Sequence, residues 1–81
     1  MEMEIGISAV VLKAHKPQLT ARELEILGWA AKGKTASETG VILSISVDTV
    51  NFHIKNCLRK LRACNKASAT VNAVRLGLLN T

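Results

Sequence analysis

TASETGVILSISVDTVNFHIKNCLRKL, residues 35–61, is the stretch from which the rest of the chain can be read. Thr35 and Glu38 form a capping box, a hydroxyl and a carboxylate three residues apart, each able to satisfy a backbone N–H at a helix start. The helix it opens reaches Leu43. After the short connection Leu43-Ser44-Ile45-Ser46 a longer helix begins, with Ser46 as N-cap and Asp48 in its first turn, where a negative charge suits the helix dipole. Val47, Val50, Ile54, Cys57, Leu58 and Leu61 recur at spacings of three and four, which predicts one buried stripe. Asn51, Phe52, Lys55, Arg59 and Arg62 fall on the opposite face. Gly40, mid-helix, costs about 1 kcal/mol relative to Ala but lets the two helix backbones approach closely, so a bulky residue there would misalign the second helix.

The same signals extend in both directions. Upstream, Thr20 and Glu23 form another capping box, Leu19 can staple onto Leu24, and Gly33 is the stop. The predicted core stripe of this helix is Leu24, Leu27 and Ala31, with Gly28 allowing close approach. Downstream, Asn65 caps a helix from about Lys66 to Leu76 that stops at Gly77. No strand pattern competes, so the predicted fold is all-α: a four-helix bundle containing a helix-turn-helix and no wing. Residues 1–18 read as a leader or interdomain linker. They hold an apolar cluster, Ala9-Val10-Val11-Leu12, and the only proline, Pro17, ahead of which any helix there should end. Residues 19–81 form the domain.

The chain has 81 residues, 48% of them apolar. A domain of this size buries only about 60% of the surface its unfolded form exposes, which leaves no room for a deep substrate cavity. The net charge of +5 is unevenly placed. Residues 1–50 sum to −1, and residues 51–81, which contain no acid, to +6. Such a field suits nucleic acid or an acidic membrane surface, and equally a plain solvated basic surface. Cys57 and Cys64 follow no secretory signal and read as reduced thiols, Cys57 as a small core residue. No stretch reaches the ~18 apolar residues that span a bilayer. No metal set, cofactor motif or catalytic constellation is present in the sequence.

Two helices joined by a few residues, the second with a basic outer face, match a helix-turn-helix, in which the second helix enters the DNA major groove. Phe52, the only Phe, projects away from the buried stripe and suits a thymine methyl; burial against a neighbouring domain or the leader would also account for it. Asn51 and Lys55, four apart on that face, offer donors for adenine and guanine edges. Lys34 and Thr35 stand at the amino end of the supporting helix, where N–H groups favour an anion, and Thr49, Asn56, Arg59 and Lys60 lie along the flank of the recognition helix. These six are the expected phosphate contacts, although each also fits an ordinary surface role, Lys60 above all. His53 lies near the edge of the buried stripe, where a structural hydrogen bond competes with a phosphate contact.

Residues 19–79 resemble the LuxR-type, GerE-like DNA-binding domain of bacterial transcriptional regulators. The resemblance rests on LTARE at 19–23, GKT at 33–35, ISVDTV at 45–50, His53, Lys60-Leu61 and AVRLGLL at 73–79. Trp29, the NFH at 51–53 and the RLGLL at 75–79 resemble the quorum-sensing branch, in which the domain follows an autoinducer-binding domain. The resemblance implies base contacts at Asn51, Phe52 and Lys55, phosphate contacts from Lys34, Thr35, Thr49 and the basic residues of the recognition helix, and homodimerisation through the fourth helix. Ala67, Val71 and Val74 form an apolar strip there that a partner helix could cover; Ala69, Ala73 and Leu76 can face the core. There are departures. Glu38-Thr39-Gly40 replaces the usual Glu-Ile-Ala, which removes an apolar anchor. Ser44 and Arg62 stand where glycine is common, and Lys66 where arginine is usual.

The expected function is therefore sequence-specific binding of double-stranded DNA at a palindromic promoter site, as a homodimer in the bacterial cytoplasm at the nucleoid. A contact with RNA polymerase is a further expectation; a membrane, cofactor, metal or enzymatic reaction is not. The helix pattern alone leaves two alternatives, a sigma-factor-like promoter-recognition domain and a protein-binding helical bundle that uses Phe52 and the small-residue strip.

Overall fold

The computed structural model describes residues 17–80, and those residues form four helices and no strand. These are α1 (Ala21–Ala31), α2 (Ala36–Leu43), α3 (Val47–Leu61) and α4 (Lys66–Arg75). The leader assigned to residues 1–18 lies, through residue 16, outside the described residues, as does Thr81.

Local chemistry explains where each helix starts. The Thr20 N–H donates to Glu23 Oε1 at 2.9 Å and the Glu23 N–H to Thr20 Oγ1 at 3.1 Å; Thr35 and Glu38 repeat the box at 2.9 and 3.1 Å. Ser46 Oγ accepts the Thr49 N–H and Asn65 Oδ1 the Ser68 N–H. A side-chain cap of this kind is worth about 1 kcal/mol. Gly33, with φ 87°, ends α1, and Gly77, with φ 75°, follows α4, whose last helical residue is Arg75 rather than Leu76. Ser44 and Arg62 occupy the same left-handed region, with φ 59° and 52°, and cap α2 and α3. Arg62 is therefore not part of the outer face of α3.

α3 is the spine of the bundle. Its Cys57 and Leu61 pack with Leu27 of α1 and Ala69 and Ala73 of α4, and Leu19, Leu78 and Leu79 close over them. Its Val50 and Ile54 pack with Ile26 of α1 and against Ala36, Leu43 and Ile45. Leu58 touches both clusters. Each such aliphatic side chain contributes about 1.5–3 kcal/mol on burial, so the pitch of α3 is held from both ends.

Several expected placements are corrected. The face of α1 turned to the core carries Glu23, Ile26 and Leu27, not Leu24, Leu27 and Ala31; Leu24 and Ala31 are half-buried. Among the described residues, a Cβ at Gly28 would meet nothing within 4 Å, so no close approach between them depends on it. Val47, at the start of the predicted stripe, is 40% exposed because the chain has only just left the turn, and Leu76 is 38% exposed. Gly40 does sit at a close approach. A Cβ there would lie 2.8 Å from the Ile45 carbonyl oxygen, so the neighbour that needs the space is the turn rather than the body of α3.

Candidate nucleic-acid interface

The interface is built on the α2–turn–α3 unit. The Ile45 N–H donates to the Gly40 carbonyl at 2.9 Å, which folds the chain back across the end of α2, and the left-handed Ser44 allows the reversal. Thr39, in place of an apolar anchor, is buried, and its hydroxyl donates to the Thr35 carbonyl at 2.8 Å, so the hydroxyl is satisfied where it lies. Ser46 then starts α3, and its hydroxyl also donates to Thr49 Oγ1 at 2.9 Å.

With Val50, Ile54, Cys57 and Leu61 committed to the core, helical periodicity turns Asn51, Phe52, Lys55 and Arg59 outward, and all four are exposed. Phe52 keeps 61% of its surface in solvent, edge-on to His53 with ring centroids 5.5 Å apart. On the flanks, Thr49 and Asn56 are half-buried, and the Asn56 Oδ1 accepts from Arg59 Nη2 at 3.4 Å, which lays the guanidinium along the helix edge.

Lys34 and Thr35 are exposed at the amino end of α2. Glu38 occupies part of that end. The Thr35 N–H hydrogen bond, with the nearby Lys34 charge, holds its carboxyl below the usual glutamate value, so a negative charge stands beside the expected phosphate site. The N–H groups left without helical partners there are those of Ala36 and Ser37.

Lys60 differs from the other five residues expected on phosphates. Its ammonium donates to Glu23 Oε1 at 2.8 Å and to the Gln18 carbonyl at 3.2 Å, tying α3 to α1 and to the chain that enters α1. Glu23 is 3% exposed. Burial alone would raise its carboxyl, but the Lys60 hydrogen bond and charge together with the Thr20 amide bring it below the usual value. Lys60 is thus engaged within the fold, with its side chain still 26% exposed. The sequence signal for this pair was the capping Glu23 itself, a residue read for one task that performs two.

Cys57 is buried, its Sγ 3.8 Å from the Glu23 carbonyl oxygen. Burial, with the Glu23 charge behind it, pushes the thiol up to about 11, which makes it an inert core residue. Cys64 is exposed, and both are free thiols. On α4, Ala67, Val71 and Val74 all face solvent while Ala69 and Ala73 are fully covered. No helix among the described residues is long and apolar enough to cross a membrane.

Residues 17–73 match the family described as "Bacterial regulatory proteins, luxR family". The chain is 57% identical over 61 residues to the transcriptional activator protein SolR of Ralstonia nicotianae, covering 75% of this chain and 26% of that protein. It is 52% identical over 69 residues to the quorum-sensing regulator RhlR of Pseudomonas aeruginosa, covering 85% and 29%. Among solved structures, the transcription factor GerE superposes with a TM-score of 0.73 at 34% identity, covering 76% of this chain and 92% of that one. SdiA of Escherichia coli gives 0.72 at 46% identity over 80% and 28%. The chain thus spans about a quarter of the length of SolR.

Proposed function

The chain belongs to the luxR family of bacterial regulatory proteins and is a DNA-binding transcription-regulator domain rather than an enzyme, and from that premise we propose that it binds a palindromic promoter site as a homodimer. α3 lies in the major groove in this reading, with Asn51, Phe52 and Lys55 on base edges. Lys34, Thr35, Thr49, Asn56 and Arg59 hold the flanking phosphates. The observation that carries the assignment is the outer face of α3, where an exposed Phe stands among Asn and basic side chains on a helix whose other face is locked into the core. Family membership displaces the sigma-factor-like and protein-binding alternatives.

A two-fold protein reads a two-fold site, and the exposed strip Ala67, Val71 and Val74 on α4 is the proposed seam. Because the matched region is only 26% of SolR and 29% of RhlR, the remainder of a regulator of this kind would carry the signal-sensing part, and the domain would be its output in quorum sensing. Residence at the bacterial nucleoid and contact with RNA polymerase belong to the same reading.

Selection of bound sites from random DNA, followed by anisotropy titration of the best site, tests it. Two inverted half-sites are expected. Lys34 and Arg59 from two protomers neutralise four phosphates, so affinity should fall roughly 10²-fold between 50 and 200 mM salt. A selected site without inverted symmetry would refute the dimer, and an affinity indifferent to salt would refute the interface.

A further inference from the structure

Phe52 and His53 leave α3 about 100° apart, as consecutive helical residues do, and they stand in different surroundings. His53 is half-buried. Its helical neighbours three positions before and four after are Val50 and Cys57, both inside the core, so the imidazole rises from the edge of the locked face. Phe52 is exposed, and its neighbours at spacings of three and four are Asp48, Thr49, Lys55 and Asn56, all polar. Its ring meets the imidazole edge to face, with centroids 5.5 Å apart and planes at 69°. A pair of this geometry favours the held arrangement by roughly two- to tenfold.

We propose that His53 is a positioning residue for Phe52: the half-buried imidazole holds the phenyl ring in one rotamer, so the apolar surface offered to the major groove is fixed before DNA arrives. The inference rests on the reading of Phe52 as a base contact. A ring free to move among its staggered rotamers loses that freedom on meeting a thymine methyl, and the ordering offsets part of the gain from burying the methyl. A ring already held by its neighbour keeps the gain. His53 therefore acts on base preference at the position Phe52 reads, and not on the general attraction to phosphate.

Replacing thymine by uracil removes the C5 methyl and leaves the rest of the base edge in place. Starting from the site selected from random DNA, each thymine is replaced in turn, and affinity is measured by anisotropy for the parent, Phe52→Ala, His53→Ala and His53→Phe, each checked for a cooperative thermal transition. Burial of one methyl corresponds to about fourfold in affinity, so the parent should prefer thymine to uracil by that factor at the position Phe52 reads. Phe52→Ala should abolish the preference. His53→Ala should lower it below about twofold, and His53→Phe, which keeps a ring in place, should restore it. A loss of folding or of a phosphate contact weakens the thymine and uracil sites alike and cancels in their ratio. A ratio in His53→Ala as large as the parent's would overturn the proposal, and so would a ratio lost equally in His53→Phe. A parent indifferent to every thymine methyl would refute the Phe52 base contact itself, and the proposal with it.

Discussion

Replacement of Lys60 by Met tests the reading of the Glu23–Lys60 pair as a brace between α1 and α3. The variant keeps most of the side chain's length but leaves the Glu23 carboxylate, 3% exposed, with only the Thr20 amide on its Oε1. Breaking a fully buried pair by removing one partner costs roughly 3–5 kcal/mol. The Lys60 side chain is 26% exposed, so solvent relieves part of that, and about 2 kcal/mol is expected. For a domain of this size the loss lowers Tm by roughly 8–16 °C. The pH dependence identifies the cause. Glu23 has a lowered carboxyl in the folded state, so its contribution is present above the ordinary value of 4.5 and lost as pH falls through the lower folded value. In the variant the burial that raises the carboxyl is opposed only by the Thr20 hydrogen bonds, so the deficit relative to the parent should shrink as the pH is lowered from 7 to 3. Adding Glu23→Gln should recover much of the stability at pH 7. Urea unfolding at both pH values measures this. A loss below about 0.5 kcal/mol, the level of an exposed pair, or one equally large at pH 3, would refute the brace. Uniform weakening of DNA binding with stability unchanged would return Lys60 to the phosphates.

Ser44→Gly relieves a left-handed backbone position, with φ 59°, and should raise stability by about 1 kcal/mol in urea unfolding. Lys55→Ala should flatten base preference at one position of the selected site, whereas Arg59→Ala should weaken all sequences alike and lower the salt slope by about 1; equal effects from both would end the division between base and phosphate readers. Val71→Glu should abolish the two-protomer complex on a palindrome in gel shift while leaving half-site binding, since it places a carboxylate on the exposed strip and Val71 belongs to neither core cluster. A thiol reagent at neutral pH should label Cys64 and leave Cys57 untouched until the protein unfolds, because the Cys57 thiol is buried and pushed up to about 11.

The helix starts were legible because a cap is a local event. Thr20 with Glu23, Thr35 with Glu38, and Ser46 with Asp48 in its first turn need nothing beyond four consecutive residues to act. The stripe Val50, Ile54, Cys57 and Leu61 was legible for a related reason: α3 is apolar on one side only, so the face it buries has no competitor. The outward direction of Asn51, Phe52 and Lys55 followed as its complement. Gly40 was singled out from the sequence, although the atom that requires its missing Cβ belongs to Ile45.

α1 shows where local reading ends. Leu24, Leu27 and Ala31 make one acceptable stripe and Glu23, Ile26 and Leu27 another, and the apolar count slightly favours the first because the second contains an acid. What selects the second is Lys60, thirty-seven residues away, which neutralises Glu23 and allows it to be buried. Rotating α1 toward Lys60 carries Ile26 into the core with Val50 and leaves Leu24, Trp29 and Ala31 to form an outer groove. The sequence by itself determined the elements, their caps and the basic outer face of α3, since each depends on neighbours three or four residues apart. Only the tertiary structure decided which side of α1 is inside and that Lys60 serves the fold, because those outcomes depend on partners that meet only when the helices pack.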